Sequence, residues 1–247
     1  MTAIDAVLLA GGRGARLAPL TVTVPKPLLP LGERPIIDVL VAQLAAVGVA
    51  RVFVCLGYLA PLMQAFLGDG SRWGVRIETA IEETPLGTAG GLRTLGDISD
   101  DFFVVNGDTL TDISVAGMAD EHRRADAWAT LFTPWVDEQV DYGVVSIDAM
   151  SRQLTGYDEK PRRGYHVSSG VYVLSRRLLA LIPPSGPFDM PDLIRAAAQV
   201  SGSLLRLEMP GGEETGSAQL VSAVARLALA AIRSGTPASD VVALLAS

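Results

Sequence analysis

The 247-residue sequence has few of the residues that several kinds of functional site require. Its single cysteine, Cys55, excludes an internal disulfide framework, and it lies in the apolar run RVFVCLGY, where a buried structural thiol is expected. The only two histidines, His122 and His166, argue against a histidine-rich metal site. Aromatic residues make up 6% and charged residues 19% of the chain, whereas 49% is apolar, so the composition predicts a folded protein rather than a disordered one.

Positive charge and long apolar runs are also scarce. The formal net charge is -7, which argues against nucleic-acid binding through general basicity, so any phosphate site must be local. The longest apolar tracts, IIDVLVAQLAAVGVA and the run at 220–232, contain polar or charged residues, and we expect neither to span a membrane. The first apolar stretch, AVLLA, is too short for a secretory signal, so we expect a cytoplasmic protein.

The pattern along the chain predicts an α/β fold. The first third alternates short β-branched runs with helix-period segments, which is typical of a mostly parallel sheet covered by helices on both faces. Strands are predicted at 4–10, 49–56, 75–80, 102–105, 128–132, 143–147, 153–157, 167–174 and 203–207, and helices from 35, at 62–67, near 92, at 176–181 and at 191–200. We therefore predict one Rossmann-like domain over 1–200 with a mixed sheet, and an atypical helical tail at 201–247.

The run LAGGRGARLAPLTVTVPKPLLPLGERP combines glycines with cations. Three glycines follow a buried strand, and their backbone N–H groups can close around phosphate oxygens: Gly11, Gly12 and Gly14. Arg13, Arg16 and Lys26 supply the positive charge that a polyphosphate needs. The run is not a P-loop, because G-x-x-x-x-G-K-[ST] is absent, and Leu17 breaks the dinucleotide pattern G-x-G-x-x-G. The glycines alone leave open a plain turn with surface arginines.

Two further motifs follow in chain order. TPLGTAGG, at 84–91, is a glycine-rich turn that opens a helix, and a helix N-terminus presents free N–H groups to an acceptor such as a purine carbonyl. FFVVNGDTL ends a buried strand at the carboxyl edge of the sheet, where ligands bind in open α/β folds. Asp108 in this motif is the best metal ligand of the chain, because Mg2+ prefers hard oxygen donors and bridges to substrate phosphate. Taken alone, each motif is also compatible with an ordinary turn.

Together, LAGGRGARLAPLT, PKPLLPL, LGTAGG and NGD resemble, in this order, the sugar-1-phosphate nucleotidylyltransferases. The resemblance covers roughly residues 3–195 and implies the nucleotide-diphospho-sugar transferase type of fold, with a nucleotide half at 1–125 and a sugar half at 126–200. It implies that an NTP and a sugar 1-phosphate react to an NDP-sugar and pyrophosphate with Mg2+. LGDGSRWGV and PLGTAGG are most similar to small bacterial uridylyl- and guanylyltransferases acting on hexose or heptose 1-phosphates. A homo-oligomer is left open.

The resemblance also assigns roles to individual residues. Those implied to bind the nucleotide are Leu9, Ala10, Gly11, Gly12, Gly14, Glu82, Gly87 and Thr88. Those implied to be catalytic are Arg13 and Lys26, which would hold the triphosphate, and Asp108, which would bind the metal. Those implied to bind the sugar phosphate are Asn106, Tyr142, Gly143, Glu159, Lys160, Ser169 and Gly170. In this pocket Glu159 would accept sugar hydroxyls and Lys160 would pair with the phosphate.

The end of the chain departs from the family pattern. Family members carry a second metal-binding aspartate late in the chain, in a Trp-x-Asp-x-Gly segment before a helix, and this sequence has no such segment there. GGEETG occupies roughly the expected place, so Glu213 or Glu214 is a candidate replacement, although the segment is also typical of a linker. The departure leaves a second hypothesis besides an enzyme, namely a non-catalytic homologue that binds a nucleotide or a nucleotide-sugar.

Overall fold

The structure, a computed structural model, describes residues 4–109, 114–200 and 204–207. Within these residues the strands are β1 (Asp5–Ala10), β2 (Pro30–Leu31), β3 (Arg34–Pro35), β4 (Arg51–Leu56), β5 (Arg76–Ile81), β6 (Asp101–Asn106), β7 (Ala129–Phe132), β8 (Trp135–Gln139), β9 (Val144–Ile147), β10 (Leu154–Asp158), β11 (Arg162–His166), β12 (Val171–Ser175) and β13 (Leu204–Leu207). The α-helices are α1 (Ile36–Ala46), α2 (Ala60–Leu67), α3 (Gly87–Gly90), α4 (Val115–Arg124) and α5 (Met190–Val200).

Seven of the strands form one sheet in the order β13-β7-β12-β6-β1-β4-β5. All neighbours pair in parallel except β12, which is antiparallel to both β6 and β7. The predicted α/β fold with a mostly parallel mixed sheet is therefore confirmed. Both predicted halves contribute strands to this sheet, and β13 continues it past residue 200, where we expected the domain to end. The rest of the predicted tail lies outside the described residues.

After a first charged residue, the central strands are apolar because helices cover both faces of the sheet. β1 has the sequence DAVLLA and β4 the sequence RVFVCL, and nearly every side chain of both strands is buried. α1, α2 and α4 pack on one face, whereas α5 and the turns around Leu92 and Leu178 pack on the other. No helix among the described residues is long and apolar enough to cross a membrane.

Four elements differ from their prediction. α4 is not predicted, because its four buried residues are set among polar ones. Its N-cap was an available signal: the Ser114 side chain accepts a hydrogen bond from the Gly117 N–H (3.1 Å). β8 and β11 were missed because their exposed positions do not alternate with apolar ones. The segment Arg176–Leu181, predicted to be a helix, is a 3-10 helix.

Residues 133–170 form an excursion between β7 and β12, which we call the ribbon insertion. In it β8 pairs with β11, and β9 pairs with β10, both antiparallel. Because β6 and β7 are both antiparallel to β12, they run in the same direction. The ribbon insertion therefore leaves the sheet at the edge where β1 and β6 end, which is the edge that carries the predicted binding motifs.

Candidate active site

A cavity of about 540 Å3 opens at the carboxyl edge of the sheet, beside the ends of β1 and β6. It brings together motifs that are far apart in the sequence. All eight predicted nucleotide-binding residues line it: Leu9, Ala10, Gly11, Gly12, Gly14, Glu82, Gly87 and Thr88. Three further predicted site residues line it as well: Lys26, Asn106 and Asp108. Its wall also contains residues that were not assigned to the site: Ala15, Arg16, Leu17, Pro27, Cys55 and Pro85.

The glycine-rich loop after β1 is held by the end of β4. The Tyr58 N–H donates to the Gly11 carbonyl (3.1 Å), and the Tyr58 hydroxyl donates to the Val22 carbonyl (2.7 Å). Gly14 has a φ of 61°, and its carbonyl accepts a hydrogen bond from the Thr21 hydroxyl (2.9 Å). These contacts fix the loop around the cavity before any ligand is bound.

The two arginines of this loop are placed differently. Arg13, predicted to hold the triphosphate, is not part of the cavity wall, and its guanidinium lies 5.5 Å from the centre of the Tyr58 ring. Arg16 does line the cavity, although it was named only as a cation of the motif. The spacing of the motif could not separate the two; in the structure Arg16 lies in a short 3-10 helix, Ala15–Leu17, whereas Arg13 precedes it.

Glu82 places a carboxylate against the wall of the cavity. Its Oε2 accepts a hydrogen bond from the Leu86 N–H (3.1 Å), and a Cβ atom at Gly91 would lie 2.6 Å from its Oε1. The Cys55 thiol lies in the same wall, and burial, with a smaller contribution from Glu82, raises its pKa to about 12. The thiol is therefore protonated at neutral pH, whereas the carboxylate can accept hydrogen bonds from a ligand.

Three of the four N–H groups of the Gly87–Gly90 helix are bonded within the chain and are not the free donors that the sequence predicts. The Thr88 N–H donates to Asp189 Oδ1 (2.9 Å), and the Ala89 and Gly90 N–H groups donate to the Phe188 carbonyl (2.9 and 2.8 Å). These N–H groups donate instead to the segment just before α5, a pairing that sequence spacing does not reveal. What remains at the cavity from this turn is the surface of Gly87 and Thr88.

The Asn106–Gly107–Asp108 turn is tied to the end of β1, since the Gly107 N–H donates to the Leu9 carbonyl (2.9 Å). Asp108 Oδ2 accepts a hydrogen bond from the Lys26 ammonium, and each of these side chains is 30% exposed. A cation and a carboxylate that are 82 residues apart thus meet at the edge of the cavity. Together they offer one site for anionic phosphate and one for a metal cation.

The described donors fit a magnesium ion that arrives with its substrate. Asp108 supplies a partly exposed carboxylate, and the described residues contain no group of three or more Asp, Glu, His and Cys able to enclose a metal. Mg2+ commonly uses one or two protein carboxylates and completes its shell with water and phosphate oxygens, so a single carboxylate suffices. Glu213 and Glu214, the candidate second ligands, lie outside the described residues.

The predicted sugar-phosphate residues divide into two groups. Tyr142, Gly143, Glu159 and Lys160 lie on the ribbon insertion and do not belong to the cavity wall. The Tyr157 hydroxyl, which sequence reasoning did not select, donates to Glu159 Oε2 (2.8 Å). This hydrogen bond raises the pKa of Tyr157 above its ordinary value.

Ser169 and Gly170 lie where the ribbon insertion rejoins the sheet. The Ser169 hydroxyl donates to the Phe132 carbonyl (3.0 Å), so it closes the base of the insertion. The Gly170 carbonyl accepts a hydrogen bond from the Asn106 N–H (2.9 Å), and a side chain at Gly170 would overlap that of Asn106. Gly170 thus lets the insertion pass directly against a residue of the cavity wall.

Comparison with known proteins identifies relatives along most of the chain. Residues 5–201 match the model of the "Nucleotidyl transferase" family. The chain is 36% identical over 184 residues to a mannose-1-phosphate guanylyltransferase of Mycobacterium tuberculosis, covering 73% of this chain and 51% of that protein. It is 34% identical over 215 residues to the catalytic subunit beta of the Xenopus tropicalis enzyme of that name, covering 84% and 59%. The chain therefore spans only half to three-fifths of these relatives.

Further similarity comes from a uridylyltransferase and from solved structures. A Synechocystis UTP--glucose-1-phosphate uridylyltransferase is 30% identical over 206 residues, 76% of this chain and 53% of that protein. HddC from Yersinia pseudotuberculosis has a TM-score of 0.63 at 26% identity, covering 83% of this chain and 89% of HddC. A putative glucose-1-phosphate thymidylyltransferase from Bacillus anthracis, in complex with a sucrose, has a TM-score of 0.67 at 25% identity, covering 91% and 96%.

Proposed function

The chain belongs to the nucleotidyl transferase family, and from this premise we propose that it transfers a nucleotidyl group from an NTP to a sugar 1-phosphate. A phosphate oxygen of the sugar phosphate attacks the α-phosphorus of the NTP in line. The bond to the β,γ-phosphates breaks, pyrophosphate leaves with that bond's electrons, and an NDP-sugar remains. No protein nucleophile is required, so the task of the site is to position two anions and neutralise charge.

One observation carries this proposal: cations, glycine backbone and a carboxylate converge on one cavity. Lys26 and Arg16 bring positive charge, and Asp108 brings the metal-binding carboxylate. Lys26, which contacts Asp108 in the ligand-free chain, is within reach of a triphosphate bound between the glycine-rich loop and Asp108. Magnesium bound with the triphosphate would neutralise its charge and that of the departing pyrophosphate.

We propose guanine as the base. The Glu82 carboxylate has two acceptor oxygens at the cavity wall, one of which also accepts from the Leu86 N–H. The guanine edge offers two adjacent donors, N1–H and the 2-amino group, whereas uracil offers one N–H. The names of the Mycobacterium and Xenopus relatives, both guanylyltransferases, support the same base.

The sugar phosphate is proposed to bind between the cavity and the ribbon insertion. The insertion leaves the sheet at the same edge as the cavity, and its base passes against Asn106 through Gly170. Glu159 and Lys160 are exposed side chains on this insertion, so a carboxylate for sugar hydroxyls and a cation for phosphate are available there. A hexose 1-phosphate, as in the names of the relatives, is the proposed substrate.

A pyrophosphate-release assay with Mg2+ tests the proposal. Each of four NTPs is offered with mannose, glucose and heptose 1-phosphates, and turnover is expected with GTP and at least one sugar. The same assay with Asp108→Asn is the control for background hydrolysis. Absence of turnover in every combination, together with saturable binding of a nucleotide, would instead support the non-catalytic homologue.

A further inference from the structure

Residues 188–190, at the start of α5, hold the Gly87–Gly90 helix across about a hundred positions of sequence. The Thr88 N–H and hydroxyl both donate to Asp189 Oδ1, at 2.9 and 3.2 Å. In return, the Thr88 hydroxyl oxygen accepts a hydrogen bond from the Met190 N–H (2.7 Å). The Asp189 carboxylate thus caps the Gly87–Gly90 helix, and the Thr88 hydroxyl caps the start of α5.

The backbone of the two segments is joined as well. The Phe188 N–H donates to the Leu86 carbonyl (2.8 Å), and the Phe188 carbonyl accepts from the two N–H groups that follow Thr88. Gly87 has a φ of 78°, and a Cβ atom there would lie 2.6 Å from the Phe188 carbonyl oxygen and 2.8 Å from Asp189 Oδ1. Only glycine permits this approach, so the turn is built around its contact with 188–190.

The supporting segment is itself firmly anchored. Met190 and Leu193 of α5 are buried in the apolar core on that face of the sheet. The Asp189 carbonyl accepts from the Asp192 and Leu193 N–H groups (3.0 and 3.1 Å), so the backbone of Asp189 starts α5 while its carboxylate faces the other helix. The position of α5 is therefore transmitted to Thr88.

Gly87 and Thr88 line the cavity, but Asp189 is not part of its wall. We propose that Asp189 is a positioning residue for the nucleotide: through Thr88 it holds the turn at Gly87 in the orientation that receives the NTP. The inference rests on the proposed function. We therefore expect loss of this contact to weaken binding of the NTP but not of the sugar phosphate, because no residue of the ribbon insertion takes part in the contact between Thr88 and Asp189.

Substitutions at both partners test the role. Asp189→Ala removes the shared acceptor, and Thr88→Val keeps the volume of the side chain but removes the hydroxyl. Each variant removes two of the hydrogen bonds between the segments. Each is expected to weaken GTP binding, measured by equilibrium calorimetry, and to raise the KM for GTP by roughly three- to tenfold. The KM for the sugar phosphate is expected to change less than about twofold.

A conservative variant separates positioning from mere stabilisation. Asp189→Asn keeps an oxygen that can accept both Thr88 hydrogen bonds, so it is expected to bind GTP like the wild type. The double variant Asp189→Ala/Thr88→Val should lose less than the sum of the two single losses, because the hydrogen bond from the Thr88 hydroxyl to Asp189 is absent from all three variants. Asp192→Ala, whose carboxylate on the same helix turn pairs with Arg195, is the matched control.

The outcomes distinguish this inference from the proposed function. If the wild type binds GTP and Asp189→Ala only lowers the melting temperature, with an unchanged dissociation constant, the positioning role is overturned. Equal losses for both substrates would also overturn it. If the wild type neither binds nor turns over any nucleotide, the proposed function fails first and the inference with it. If Asp189→Ala does not fold, Thr88→Val and Asp189→Asn provide the same comparison.

Discussion

The cavity and the ribbon insertion differ in how their functional side chains are held. In the cavity, loops are hydrogen-bonded to each other and to the ends of buried strands, as the contact of Gly107 with Leu9 illustrates. In the ribbon insertion, the side chains stand on two separate two-stranded pairs, and residues such as Tyr142 and Tyr157 are 79% and 65% exposed. The cavity is supported by elements on both faces of the sheet, whereas the side chains of the ribbon insertion have few neighbours.

Under the proposed function, the two substrates would therefore meet different kinds of site. The NTP would bind in a cavity whose shape the core already determines, so its affinity would depend on exact placement of backbone and charge. The sugar phosphate would meet charged side chains on a thinly supported surface, so its affinity would depend on the individual contacts. Four substitutions test this contrast, from the largest expected effect to the smallest.

Asp108→Asn is expected to have the largest effect. The substitution keeps the shape of the side chain but removes the charge that holds Mg2+, so turnover should fall by about 100-fold or more while the fold survives. Pyrophosphate release in a Mg2+ titration measures it, with Asp148→Asn, on the ribbon insertion, as the control. In the same titration, Glu213→Gln and Glu214→Gln should leave turnover unchanged if GGEETG is a linker. An Asp108→Asn enzyme with normal turnover would contradict the mechanism.

Lys160→Ala is expected to act on the other substrate. Loss of a charge-assisted contact costs about 1.5–3 kcal/mol, which corresponds to a rise of roughly 10- to 100-fold in the KM for the sugar phosphate. The KM for GTP should stay the same, because Lys160 does not line the cavity. Arg163→Ala, an exposed cation three residues further along the ribbon insertion, serves as the control. Equal losses for both substrates would remove Lys160 from this role.

Gly91→Ala tests how closely the cavity wall is packed. The added Cβ would lie 2.6 Å from Glu82 Oε1, so the carboxylate must move, and GTP affinity should fall by up to about tenfold. Gly91 has an ordinary helical φ of -61°, so the substitution does not strain the backbone. Gly96→Ala is the matched control, because no heavy atom lies within 4 Å of its added Cβ. Unchanged GTP binding by Gly91→Ala would show that Glu82 does not contact the base.

Leu154→Thr on the ribbon insertion is expected to have the smallest effect. Leu154 pairs with Ile147 across the strands, and the two side chains are 62% and 59% exposed. The free energy of unfolding should change by no more than about 0.5 kcal/mol, as for most surface substitutions. By contrast, Phe103→Ala in β6 should cost about 3–5 kcal/mol. Denaturant titration compares the two, and a loss above about 1 kcal/mol for Leu154→Thr would mean that this face is covered.

From the sequence alone it was possible to predict the mostly parallel mixed sheet and eleven of the residues that line the cavity. Buried strands such as β1 and β4 are apolar after a first charged residue, and the glycine-rich segments that follow strands mark where the chain turns at the carboxyl edge. These signals are local, because a strand covered on both faces needs a continuous apolar run. The same logic failed for α4 and β8, whose short or exposed patterns contain too little apolar periodicity.

Which side chains meet depends on the tertiary structure. Lys26 contacts Asp108 across 82 residues, and Asp189 accepts a hydrogen bond from the Thr88 N–H across 101, so a turn predicted to offer free donors has none at that position. Arg16, in a 3-10 turn, lines the cavity, whereas Arg13 does not. Pairings of this kind depend on how β1, β6 and α5 pack around one core, and packing is a property of the whole chain that no local pattern of residues contains.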